Sequence, residues 1–175
     1  MKYSILLVLF LFLAAGAIAQ EPSSKFKHDG KIEVLFDEKK NETTIRLNEM
    51  KIFESESETL SIIVVGSFEG KKQTGSPSEL LFVLNASSKQ RRYQIEPQIT
   101  VTADGEVIRT RQMKNYGARN DKGQIIEPLL TMMPYEIVVK MANAKKVTLK
   151  IGTTDYEMTA NNLEALRDVV SRLAP

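Results

Sequence analysis

The stretch Thr59-Leu-Ser-Ile-Ile-Val-Val-Gly-Ser-Phe68 decides the fold of this chain. Leu60, Ile62 and Val64 share one side of an extended segment, because successive side chains of a strand point to opposite faces. The other side is also apolar, and residues 79–84, Glu-Leu-Leu-Phe-Val-Leu, repeat this composition. Strands that are apolar on both sides are typical of the centre of a sheet that is covered on both faces. The sequence therefore predicts two central strands, each buried on two sides.

Shorter segments with alternating apolar residues surround these two strands. Residues 32–36 alternate, and residues 43–53 alternate with a shift of phase that indicates a β-bulge. Asp104-Gly105 separates two further apolar runs and predicts a tight hairpin, because both turn residues take positive φ. Gly152-Thr153 predicts a second two-residue turn, between residues 147–151 and a return strand. These patterns indicate six or seven antiparallel strands before residue 113 and one more hairpin near the C-terminus.

Two helices are predicted to flank that last hairpin. Pro134 suits the first position of a short helix, since its fixed φ is helical. Residues 160–173 form the second helix, with an apolar stripe at helical spacing and a cap among residues 159–161. The predicted fold class is mainly β (α+β). We expect an antiparallel β-sandwich-like domain over residues 31–175 that ends in a helix–hairpin–helix tail.

The first 19 residues have the features of an export signal. Lys2 gives a positive start, residues 5–15 are almost continuously apolar, and Ala17-Ile18-Ala19 supplies the small residues that a signal peptidase requires. The alternative is an uncleaved membrane anchor, which takes about 20 apolar residues, more than this run contains. We expect cleavage near Ala19-Gln20, a flexible leader over residues 20–30, and a periplasmic or secreted protein without a membrane span.

Composition excludes several classes of chemistry. The chain has no cysteine, so it has no thiol nucleophile, zinc–thiolate site or iron–sulfur cluster. Lys2 is the only charged residue of the predicted signal, and its loss lowers the formal charge from +2 to +1. A charge so near zero, with both signs interspersed, gives no reason to expect nucleic-acid binding. We expect no cofactor and no metal.

The C-terminal segment carries a loose family resemblance. Residues 144–152 read Ala-Lys-Lys-Val-Thr-Leu-Lys-Ile-Gly, and residues 163–167 read Leu-Glu-Ala-Leu-Arg. Over residues 144–173 the chain resembles the ends of small exported bacterial proteins without assigned function. The resemblance implies an exported protein with a terminal helix, and it implies no activity and no site residues.

Side chains that usually carry catalysis are few. His28 is the only histidine and lies in the predicted leader, so we interpret it as a solvated residue rather than part of a triad or a metal site. Glu54, Glu56 and Glu58 alternate with serines and would suit calcium on an extended segment. The EF-hand spacing is absent, and the segment is interpreted as a solvated turn. No catalytic residue is assigned.

Residues 114–128 are predicted to form a long polar loop, and long loops often carry binding residues. The candidate contact residues in it are Asn115, Tyr116, Arg119, Asn120 and Asp121.

Three functions follow from these observations. The first is a non-enzymatic binding module of the cell envelope or periplasm, with a protein partner captured by the loop or by an exposed sheet edge. The alternative is a carrier of a small apolar ligand between the sheets, which the two-sided apolar strands and the Met132-Met133 pair favour. The third is a carboxylate-based hydrolase that uses Glu54, Glu56 or Asp121.

Overall fold

The computed structural model describes residues 25–93, 97–121 and 123–175. The predicted signal, its cleavage site at Ala19-Gln20 and the start of the predicted leader lie outside these residues.

Two antiparallel sheets make up most of the fold, which confirms the predicted class. The strands of the first sheet are β1 (Ile32–Asp37), β2 (Glu42–Glu54), β3 (Glu58–Glu69), β4 (Glu79–Ser88), β7 (Lys114–Asn115), β8 (Arg119–Asp121) and β9 (Gln124–Pro134). The strands of the second sheet are β5 (Gln98–Ala103), β6 (Glu106–Gln112), β10 (Val147–Ile151) and β11 (Thr154–Glu157). The first sheet has the order β1-β2-β3-β4-β9-β7, with β8 also on β9, and the second has the order β11-β10-β5-β6.

The predicted bulge is present in β2. Leu47 pairs with Val64, but the next pair along the ladder joins Met50 to Ile62, so β2 uses three residues where β3 uses two. A second shift of register follows between Lys51 and Phe53. The first shift brings Met50 and Ile52 to the buried side with Leu47, as the shift of phase in the sequence predicts, whereas Phe53, beyond the second shift, is 38% exposed.

Both predicted hairpin turns are confirmed. Asp104 and Gly105 have φ values of 48° and 89° and connect β5 to β6. Gly152 has a φ of 60° and, with Thr153, connects β10 to β11. The Asp104 carboxylate also accepts backbone N–H groups from Lys145 at 3.0 Å and Lys146 at 2.9 Å, so this turn holds the chain that enters β10.

Two helices flank the second hairpin, as predicted. The helix α1 (Tyr135–Asn143) begins directly after Pro134, and α2 (Ala160–Arg172) ends the domain. Thr159 caps α2 by accepting the Asn162 N–H, and the Asn162 side chain accepts the Thr159 N–H in return. Within the described ranges, no helix is long and apolar enough to cross a membrane.

The core lies on the inner side of the first sheet. The helices pack on each other there, α2 contacts β2, and α1 contacts β9 and β5. The inward residues of the sheets and the buried side of the helices form one continuous apolar cluster. Gly66 of β3 allows the end of α2 to approach closely, because a Cβ at this position would lie 2.6 Å from Leu173 Cδ1.

We expect Asp104 to titrate below the range usual for an aspartate. The backbone N–H groups of Lys146 and Lys145 lower the pKa of this carboxyl, because they donate to its charged form. A lowered folded-state pKa means that the stabilisation is present above the unfolded pKa and is lost as the pH falls through the folded value. A carbon-detected NMR titration measures this pKa. A value equal to that of a short peptide containing Asp104 would contradict the expectation.

Candidate functional site

The predicted contact loop is paired backbone rather than a structureless connection. β7 and β8 both form antiparallel ladders with β9, and β9 begins at Gln124, inside the predicted loop. The prediction of a long loop over residues 114–128 is therefore wrong. The polar composition of this segment gave no sign of β7 and β8. An edge strand that faces solvent can have polar side chains while its backbone still pairs with the neighbouring strand.

The structure separates the predicted contact residues. The Asn115 side chain donates to the backbone oxygen of Tyr93 and accepts the Gly117 N–H at 2.9 Å, so it is part of the protein's own hydrogen bonding. Tyr116 is 66% exposed and donates its backbone N–H to Pro128 at 3.2 Å. Arg119, Asn120 and Asp121 pair with residues 124–126 through β8, and their side chains lie outside what the structure describes. Of the five, Tyr116 is the one with a described, exposed side chain.

Tyr116 lies beside a larger apolar surface. On β3, β4 and β9, the residues that alternate with the core residues point away from the core. They form two rows that run across the strands. One row pairs Val65 with Leu81 and Leu81 with Met132, and the next pairs Ile63 with Val83 and Val83 with Leu130. We call this surface the outward face, and its residues are Ile63, Val65, Leu81, Val83, Leu130 and Met132.

The outward face is open in the described part of the chain. Met132 is 40% exposed and the other five residues are half-buried, whereas Leu80, Phe82 and Leu84 on the inner side are fully buried. The buried residues of the helices and of the second sheet join the inner residues in one cluster, and at the end of β4 the Arg111 guanidinium of β6 lies 2.9 Å from the Glu79 carboxylate. β3 and β4 lie inside the sheet, as predicted, but among the residues that the structure describes their second apolar side is only half-buried.

Polar residues surround the outward face. On the β2 side, Arg46 pairs across the strands with Val65 and Glu33, and the Glu49 carboxylate accepts the Ser61 hydroxyl at 2.5 Å. On the opposite side, Lys114 is paired with Leu130 and is exposed. An apolar centre within a polar rim is the usual anatomy of a protein–protein interface.

A buried carboxylate cluster lies where the two sheets meet. The Glu58 side chain is 4% exposed, and it accepts from the Arg92 guanidinium and, at 3.0 Å, from the Tyr156 hydroxyl. The hydroxyl groups of Tyr93 and Tyr156 form a hydrogen bond of 2.9 Å. Burial raises the pKa of Tyr93, and this hydrogen bond raises it further. Both oxygens of Glu58 are thus occupied by donors from its own chain. The cluster joins β3 to β11, and it offers no free acid or base to a substrate.

A second buried carboxylate completes the same region. Glu127 of β9 accepts the backbone N–H of Arg92 at 2.7 Å and that of Tyr93 at 3.2 Å. It fixes the connection that follows β4 and so positions Arg92 over Glu58. The sequence did not point to Glu127. The predicted exposure of Glu54 and Glu56 is confirmed, but the prediction that Glu58 lies in a solvated turn is wrong.

The described residues contain no group of three or more histidine, cysteine or acidic side chains that would hold a metal ion. Glu54 is exposed and forms an ion pair with Lys51 at 2.6 Å. Glu54 and Glu56 are therefore solvated side chains at one end of the β2–β3 hairpin. They are the two proposed hydrolase carboxylates whose side chains the structure describes.

His28 is buried, so its interpretation as a solvated residue is wrong. Its Nε2 lies 3.1 Å from Asp168 Oδ2, and both side chains are 5% exposed. Gly30 makes this possible, since it places the chain against Leu47 and Ala165 without a side chain of its own. The described part of the predicted leader thus packs on α2. The distance in sequence, 140 residues, leaves no local pattern that would reveal the contact.

Comparisons with known proteins found no relationship. No family model, no curated protein and no solved structure matches the chain.

Proposed function

We propose that this protein is an exported, non-enzymatic binding module that engages a protein partner through the outward face. The open apolar face of the first sheet carries the proposal. Contiguous apolar residues within a polar rim are a feature of interaction sites. Export is supported by the apolar run and small residues of positions 1–19.

The position of Tyr116 supports the same surface. Its ladder bond to Pro128 places it next to β9, two residues along the chain from Lys114 at the rim. Exposed tyrosine is enriched at protein interfaces, because it combines a large apolar ring with a hydroxyl. The contact residue nominated from sequence therefore extends the outward face.

The two other functions have less support. A carrier needs space between the layers, whereas the inward residues of both sheets and both helices form a continuous core. A hydrolase needs its carboxylates gathered in a cleft, whereas Glu54 and Glu56 are exposed at one end of the β2–β3 hairpin and Glu54 forms an ion pair with Lys51. Neither function gains an observation from the described residues.

Site-specific photo-crosslinking in the native host tests the proposal. A photoreactive amino acid at Met132 should give a discrete crosslinked product, because this residue lies at the exposed end of the outward face. Val107 is the matched control, an exposed apolar residue on the second sheet. We expect no product from this position. Equal products from both positions, or none from Met132, would contradict the proposal.

A further inference from the structure

We propose that the partner on the outward face is a second copy of this chain, which packs face to face about a two-fold axis parallel to the strands. This inference rests on the proposed function, since it specifies what covers the same surface. Three properties of the face lead to it: its area, the arrangement of its apolar rows, and the charges on either side of them.

The area is that of a small interface. The three strands that the axis superimposes, β3, β4 and β9, each have at least 10 residues. At about 3.3 Å per residue and about 4.8 Å between strands, stretches of 10 residues on these strands cover roughly 480 Å² in projection. Side chains and the flanking residues of β2 and β7 add to this area, and a standard interface buries about 800 Å² per partner. Two such faces would therefore make an interface at the small end of the range, as expected for a dimer that dissociates on dilution.

The apolar rows suit stacking of two sheets. β4 lies between β3 and β9, and we call these three strands the block. An axis parallel to β4 places β4 over β4 and β3 over β9, so apolar residues meet apolar residues along both rows. Sheets that pack in this way keep their strands within about 30° of each other. The geometry is that of an aligned sandwich, and each copy contributes one layer.

The charges at the rim complement each other under the same axis. The rotation preserves position along the strands and exchanges the two sides of the block, so the β2 side of one copy meets the β7 side of the other. Glu49 lies at the Ser61–Asn85 row, and Lys114 lies at the adjacent Leu130 row. Adjacent rows on one face are about 6.6 Å apart, a distance that an extended lysine side chain spans. Each two-fold pair would thus contain two Glu49–Lys114 ion pairs.

The balance of the rim favours a second copy over a strongly charged partner. Arg46 and Lys51 are cationic, Glu33 and Glu49 are anionic, and all four lie on the β1–β2 side of the block. A partner with one dominant sign of charge would meet repulsion along part of this rim. A second copy of this chain has a formal charge of only +2 and avoids this repulsion.

Sedimentation equilibrium of the protein purified after expression of the full-length sequence tests the inference. We expect a dimer that dissociates on dilution, and we expect Val83→Lys to leave only monomer, because it places a charge at the centre of the block. Val107→Lys on the second sheet is the matched control and should remain dimeric. Circular dichroism establishes that each variant is folded.

A charge exchange tests the axis even if Val83→Lys fails to fold. Lys114→Glu should raise the dimer dissociation constant about tenfold, because two glutamates then face each other. Adding Glu49→Lys to this variant should restore the constant to within about threefold of the original, since the pair is remade with its charges reversed. Equal weakening in the single and double variants would overturn the proposed axis.

A protein that stays monomeric up to about 100 μM would overturn the second copy as the partner. The crosslinking result then separates the two proposals. A crosslinked product between Met132 and a different protein would support the binding module and contradict the dimer. The absence of any product would contradict both proposals.

Discussion

Replacing Arg92 with methionine is expected to lower the free energy of unfolding by about 3 kcal/mol at pH 7. The variant keeps the aliphatic part of the side chain and removes the cation. Glu58 is then a buried carboxylate with the Tyr156 hydroxyl as its remaining donor. We place the loss at the lower end of the range for broken buried pairs, because the Arg92 side chain is 38% exposed. Urea denaturation followed by circular dichroism measures the loss.

The pH dependence identifies the cause of that loss. A buried carboxylate without its cation takes up a proton more readily in the folded state than in the unfolded state. The folded variant then binds more protons, so its stability falls as the pH rises. The difference between the original protein and Arg92→Met should therefore be smaller at pH 4.5 than at pH 7.

Two further variants serve as controls for the Glu58–Arg92 pair. Arg91 is exposed, and Arg91→Met should change stability by less than about 0.5 kcal/mol. The double variant Arg92→Met with Glu58→Gln should regain most of the lost stability, because no unpaired charge remains buried. If the double variant is no more stable than Arg92→Met alone, the loss has another origin.

Replacing Asp168 with alanine is expected to cost about 3–5 kcal/mol. Asp168 accepts from Arg172 Nε at 2.8 Å and faces His28 at 3.1 Å, so its removal leaves two basic side chains without their carboxylate. Both are deeply buried, with the Arg172 side chain 12% exposed. The loss should also release the segment at residues 25–31 from α2.

Limited proteolysis and hydrogen exchange measure this release. In Asp168→Ala, amides of residues 25–31 should exchange faster, and a protease should cleave there before the rest of the domain. Asp155 is an exposed aspartate in β11, and Asp155→Ala should alter neither stability nor cleavage. A segment that stays protected in Asp168→Ala would show that packing at Gly30, rather than the carboxylate, holds it in place.

Much of the fold was accessible from local patterns. The strand at residues 59–68, the bulge within residues 43–53, the Asp104-Gly105 turn and the helix at residues 160–172 were all predicted. Each depends on interactions within a few residues: side-chain alternation, positive φ at a turn, or an apolar stripe on a helix. Such patterns indicate an element whatever surrounds it.

The candidate site was less accessible. Tyr116 was nominated for the right property, exposure, but within a loop that the structure resolves into edge strands. The outward face was visible as an apolar pattern and was interpreted as a second buried side. The pattern is the same whether another layer of the chain covers it or a partner does, so the sequence alone offers no means of choosing.

The sequence by itself determined the type of most elements, because periodicity and turn chemistry are properties of short segments, but it did not reveal β9. Only the tertiary structure decided which surfaces those elements cover. Glu58 is buried because Tyr156 and Arg92 reach it, and His28 is buried because α2 lies beside it. In the described part of the chain the outward face is only half-buried, because both helices pack against the core side of the first sheet. Burial is set by segments that are distant along the chain, and no local pattern records their positions.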